Sequence, residues 1–121
     1  MDFINNLGND GLYVVNHDDI DAVVGDFESC LKEVENLCSK IDPEETPYES
    51  KYKAITLLNK ACTKLEATRT IASLEKREIS VKEMNWRIAK SQLRLGTLYW
   101  ECEDLHSAQK ELEMALVRII L

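Results

Sequence analysis

The side chains that could do chemistry in this chain are few and badly spaced for it. His17 and His106 are far apart in sequence, and neither has a Cys or His at a spacing that binds zinc. Cys30, Cys38, Cys62 and Cys102 include no CxxC pair. No glycine-rich phosphate loop and no nucleophile elbow occur. Carboxylates are plentiful, 22 Asp and Glu against 15 Lys and Arg, but on helices they ordinarily form a solvated face. We expect no catalytic residue, no cofactor and no metal site.

The start, MDFINNLGND, lacks the positive and apolar regions of a secretion signal. The thiols are therefore expected to stay reduced and to serve as small buried apolar residues. No apolar run reaches the roughly 18 residues that span a bilayer, so membrane insertion is not expected. A formal charge of −7 disfavours nucleic acid and anionic lipid. A cytoplasmic protein with another protein as its partner is the class that remains.

The elements that must position any such surface are helices. With four Gly and two Pro in 121 residues, there is little material for turns, and the apolar residues recur at three- and four-residue steps. Residues 1–16, with Gly8, Gly11 and four Asn, read as a loose N-terminal arm; residues 17–121 read as one helical domain. A first helix, which Asp18 or Asp19 can cap, carries Ile20, Val23, Val24, Phe27, Cys30, Leu31, Val34, Leu37, Cys38 and Ile41 on one stripe and ends at Asp42-Pro43. Within it Gly25 either admits a close neighbour or marks a later start. The second helix is expected to be capped by Thr46, with Pro47 in its first turn and Glu49 closing a capping box. Its stripe is Tyr48, Tyr52, Ile55, Leu58, Cys62 and Leu65, continuing to Ile71 or Leu74.

Ser80 and Glu83 form a second capping box and open a third helix with Val81, Met84, Ile88, Leu95, Leu98, Tyr99 and Cys102 inward. A fourth runs from about Ser107, with Ala108, Leu112, Ala115, Leu116 and Ile119 facing the core. The fold expected is all-α: four antiparallel helices as two stacked hairpins.

Residues 92–121 carry a more specific pattern. Leu95-Gly96, Tyr99, Ala108, Leu112 and Ala115 fall at the spacing of the tetratricopeptide repeat, a helix–turn–helix unit of about 34 residues. Gly96 and Ala108 are small where the two helices would approach, while Tyr99 and Leu112 would fill the space around them. Gln92 stands where that repeat usually has Trp, and Ile120 where Pro often ends it. Trp86 and Trp100 fall off the main stripes and are expected to fill grooves between successive helix pairs.

Upstream, PYESKYKAITLL (Pro47 to Leu58) resembles a run in the N-terminal region of the kinesin-binding protein family, P-Y-x-S-K-Y-x-A-x-x-L-L. The resemblance covers residues 24–121. It implies a tetratricopeptide-like α-solenoid, cytoplasmic and cytoskeleton-associated, that binds kinesin motor domains and blocks their attachment to microtubules, with further helices of a parent chain beyond these. Residues 17–49 hold eleven carboxylates against two lysines, and residues 50–121 hold thirteen basic against nine acidic residues. The acidic stretch either lies against the basic helices of its own chain or meets a basic partner. In the second case Glu28, Glu35, Glu44 and Glu45 are the candidate partner-facing residues. The competing readings are a general adaptor that clamps peptide or chaperone tails with Lys51, Lys60, Lys64, Arg87 and Arg94, and a regulatory or dimerising region of a larger protein.

Overall fold

A computed structural model of the chain describes residues 17–39 and 48–120. They form four α-helices: α1 (His17–Ser39), α2 (Glu49–Leu74), α3 (Glu78–Glu101) and α4 (Leu105–Ile120), with no strand among them. Each helix packs against the next in sequence, antiparallel. The N-terminal arm, the Asp42-Pro43 stop, and Glu44 and Glu45 lie outside the described residues; so do Thr46 and Pro47, but α2 begins at Glu49 with Tyr48 as its N-cap and no side-chain cap bond, later than a Thr46 cap would set it.

The stripes explain the packing. On α1, Ile20, Val23, Phe27 and Val34 are buried; on α2, Ala54, Ile55, Leu58, Cys62, Leu65 and Ala72; on α3, Met84, Ile88, Leu95 and Leu98. These positions return to one side of a 3.6-residue helix and make a single core. Gly25, in contrast, has nothing within 4 Å of where a Cβ would stand. It neither admits a neighbour nor starts the helix, which already runs through it from His17.

The turns differ from their expected form. No side chain caps α3: it begins at Glu78, two residues before Ser80, with Arg77 as its N-cap. The cause is the way α2 stops. Lys76 takes a left-handed backbone (φ 59°), its N–H reaches Ser73 O (3.0 Å), and the Arg77 N–H reaches Ala72 O (2.9 Å). That pair of bonds is a Schellman stop, and it reverses the chain in three residues. The same device recurs after α3. Glu103 is left-handed (φ 63°), its N–H bonds Trp100 O (3.0 Å), and Asp104 N–H bonds Tyr99 O (2.9 Å). Asp104 then caps the next helix, its Oδ1 accepting from Ser107 N–H (3.2 Å), so α4 starts at Leu105 and not near Ser107.

Alternate helices run parallel and are tied by side chains. Arg87 Nε meets Glu28 Oε2 at 3.4 Å. Two turns further along both helices, Arg94 Nε and Nη2 hold both oxygens of Glu35 at 2.7 and 3.0 Å. Both pairs link α1 to α3 with the same offset, so the two helices lie in register side by side. Being half-exposed, each pair is worth at most about 1 kcal/mol; they set register more than stability.

At the other end, α4 is only partly enclosed. Ala108 and Ala115 are buried, but Leu112, Leu116 and Ile119, expected inward, are 40 %, 55 % and 48 % exposed. α4 is the last helix of the stack, and its outer edge meets no further element among the described residues.

The two helical glycines yield a paired prediction. Gly25→Ala gains helix propensity in open space and stabilises the fold by about 1 kcal/mol. Gly96→Ala gains the same propensity but places a Cβ 2.6 Å from Leu112 Cγ, and overpacking of about 1–3 kcal/mol makes it a net loss. Adding Leu112→Ala to Gly96→Ala removes the clash. Urea midpoints of the three variants check the signs.

Candidate interaction surface

The α3–α4 contact is built on small residues. A Cβ at Gly96 would sit 2.6 and 2.7 Å from Leu112 Cγ and Cδ2 and 3.3 Å from the Ala108 carbonyl oxygen. Gly96 and Ala108, expected to touch, are both buried and face each other across this seam. Leu95 and Ala115 are buried, and Tyr99 packs half-buried against the core, its hydroxyl oxygen accepting from Asn59 Nδ2 at 3.4 Å. Leu112 seals the seam with one side and shows the other to solvent.

Beyond that contact lies a polar hub that motif spacing did not reveal. Arg118 on α4 donates to Gln92 Oε1 (3.0 Å), Asn85 Oδ1 (2.7 Å) and Glu66 Oε1 (2.6 Å). One guanidinium therefore joins α4 to α3 and α2. Gln92, the departure from the repeat pattern, is buried; its carbonyl oxygen needs a donor there, and Arg118 supplies it. The signal available in the sequence was a Gln on an apolar stripe and an Arg in an apolar terminus.

Around this hub, burial shifts the titrating groups. The Cys62 thiol is pushed up to about 11, first by burial and then by Glu66 and Glu111. Glu111 is raised by its own burial and by Glu66, against Lys110. Burial also raises Cys30, Cys38 and Cys102. All four are free thiols, and thiols held in the protonated form are poor nucleophiles. No group of three or more His, Cys, Asp or Glu among the described residues could hold a metal ion, and no described helix is long and apolar enough to cross a membrane.

Of the candidate acidic residues, Glu28 and Glu35 are engaged by Arg87 and Arg94 of the same chain. Asp26 pairs likewise with Lys64 at 3.7 Å. The acidic first helix thus lies against the basic ones.

What stands open is apolar. On α3, Ile79, Trp86, Leu93 and Trp100 recur every seven residues and are 77 %, 60 %, 41 % and 63 % exposed. A seven-residue step drifts only about 20° per repeat on an α-helix, so the four form one row down the outer face. Contrary to the expectation that they fill grooves inside the stack, the tryptophans lie outside it. A parallel row runs down α4, with Leu105, Leu112 and Ile119 at the same step and Leu116 beside them. Trp100, Leu105, Leu112 and Leu116 line one open hollow of about 340 Å³, so the rows share a face there. A second hollow, about 410 Å³, lies beside Trp86 between Lys82, Glu83, Arg87 and Lys90. Such an arrangement can bury a partner's apolar side chains.

Comparison of the chain with protein-family models, with characterised proteins and with solved structures returns no match.

Removing the hub donor strands a buried carbonyl, so Arg118→Leu should cost about 1–3 kcal/mol, against at most about 1 kcal/mol for Arg87→Leu at its half-exposed pair; chemical denaturation of both gives the ranking. For Glu111, a folded-state pKa above the unfolded value means the fold favours the neutral carboxyl. That contribution is present below the unfolded pKa and is lost as pH rises through the folded one. Glu111→Gln should accordingly raise stability at pH 7 and lose that advantage in acid, as denaturation at both pH values will record.

Proposed function

We propose that this chain is a non-catalytic, protein-binding helical scaffold of the tetratricopeptide type. The observation that carries the reading is the open apolar face of α3 and α4, with both of the chain's tryptophans on it. Contiguous apolar patches beyond a few hundred Å² are uncommon on monomers and mark interaction surfaces, and Trp is over-represented among residues that dominate binding energy.

The partner we propose is a kinesin motor domain, which the chain would occlude from the microtubule, as part of a longer cytoplasmic, cytoskeleton-associated solenoid. This rests on the resemblance at Pro47 to Leu58 and on the repeat pattern at 92–121. Within the first run, Ala54, Ile55 and Leu58 are buried, so those positions serve the α2 core and would shape the scaffold without touching the motor. Glu28 and Glu35 could face a basic partner only by sharing their arginines. Contact through the tryptophan face is the simpler route.

The alternative, an adaptor clamping peptide or chaperone tails, needs several free cations converging on one face. Lys51 already pairs with Glu101 at 3.9 Å, and Lys64, Arg87 and Arg94 pair with α1. That observation favours the apolar mode over a carboxylate clamp.

Microtubule co-sedimentation of purified kinesin motor domains tests the reading. Adding the chain should move the motor from pellet to supernatant, and Trp86→Ala with Trp100→Ala should weaken the effect by about tenfold or more, as expected of hot-spot residues. A motor that stays in the pellet at saturating chain overturns the kinesin assignment.

A further inference from the structure

Three strongly exposed apolar residues gather at one end of the stack. Leu74, 78 % exposed, ends α2; Ile79 lies in the first turn of α3, and Trp86 stands two turns further on. α4 does not reach them. Leu112 packs on Gly96 and the two helices are antiparallel, so Ile120, the last described residue of α4, stands level with Ile88. The first turns of α3 lie past that end.

What borders this ledge is the start of α1. The pairs Glu28–Arg87 and Glu35–Arg94 join parallel helices with one offset, which sets His17 level with Lys76. The pair Asp26–Lys64 joins antiparallel helices and sets His17 level with Ser73. Two independent registers thus bring the start of α1 to the α2–α3 turn, and the hollow beside Trp86 includes Glu28 of α1.

Residues 12–15, Leu-Tyr-Val-Val, lie outside the described residues and join His17 through Asn16 alone. β-Branched and aromatic residues suit an extended segment, and Asn suits a chain reversal. Five extended residues span about 16 Å, and helices side by side stand about 8–10 Å apart. From the level of His17, Ile79 lies about 5 Å and Trp86 about 15 Å along α3, so the run and its side chains can reach both. The turn also needs an acceptor. Arg77 Nε meets Glu75 at 3.1 Å, but Arg77 Nη1 is buried with no acceptor among the described residues. A buried N–H calls for an oxygen, and an extended segment brings a row of free carbonyls.

We propose that the occupant of this ledge is the chain's own N-terminal segment, with residues 12–15 folded back over Leu74, Ile79 and Trp86. Tethered beside its site, the segment acts at a high effective concentration that no separate molecule shares. On the reading that the apolar face docks protein, a partner that uses the whole face must displace it.

Two variants of the whole chain test this, Trp100→Phe leaving Trp86 as the reporter and Trp86→Phe leaving Trp100. The described helices leave the two rings almost equally open, 60 % and 63 %, so acrylamide should quench them alike unless the segment covers one. Trp86 should emit to the blue of Trp100 and be quenched less. Leu12→Ser, Tyr13→Ser, Val14→Ser and Val15→Ser together, with helix content checked by circular dichroism, should abolish that protection. Trp86 should then shift to the red and match Trp100, which should not change. Equal quenching before the fourfold replacement, or protection that survives it, overturns the inference. Protection that fades on dilution assigns the cover to a second copy and overturns it too. A chain that binds no motor domain counts against the kinesin reading alone, and equal quenching counts against the docked segment alone.

Discussion

The closeness of α3 and α4 at Gly96 governs most other features of the molecule. With hydrogen as the side chain, the backbone of α3 meets Leu112 and the Ala108 carbonyl directly. A Cβ there would displace the Leu112 side chain and press on the Ala108 carbonyl. Farther along the same seam Arg118 makes three short bonds, to Gln92, Asn85 and Glu66, and so supplies the donor that the buried Gln92 needs. Leu112, which makes the contact with Gly96, is also part of the exposed apolar row of α4.

The rest of the stack depends on how the helices stop. Both described turns use a left-handed residue that is not glycine, Lys76 and Glu103, and both return the chain in three residues. A non-glycine residue in this conformation is strained by about 1–2 kcal/mol, and two bonds to otherwise orphaned carbonyls offset it. Short, matched turns leave each helix beside its neighbour and bring alternate helices into parallel register. The α1–α3 ion pairs then form with a constant offset.

Much of this was legible in the residues. Helix number, type and antiparallel order follow from the apolar periodicity, and the buried residues of α1, α2 and α3 fall largely on the expected stripes. The small residues Gly96 and Ala108 marked the close seam by type and spacing alone. Helix starts were less legible. Ser80 has capping chemistry, but the chain reverses earlier because Lys76 adopts a conformation that nothing in a lysine announces. Periodicity also shows that a helix has an apolar side without showing that anything covers it. Leu116, Ile119, Trp86 and Trp100 were accordingly expected inward, and Tyr52 likewise stands in solvent. The seven-residue row on α3 was present in the sequence; it reads as surface only once Met84, Ile88 and Leu95 are seen to fill the core. Gln92 appeared as a mere departure from a pattern because its partner, Arg118, lies 26 residues on, on another helix.

The seam itself can be observed without perturbing it. In a nuclear Overhauser spectrum of the whole chain with labelled leucine methyls, strong cross-peaks should join the Gly96 α-protons to the Leu112 δ-methyls, with weaker ones to the Ala108 methyl. A well-dispersed helical spectrum in which Gly96 shows no cross-peak to Leu112 would contradict the close approach, and with it the hub, the outward row and the surface built upon them.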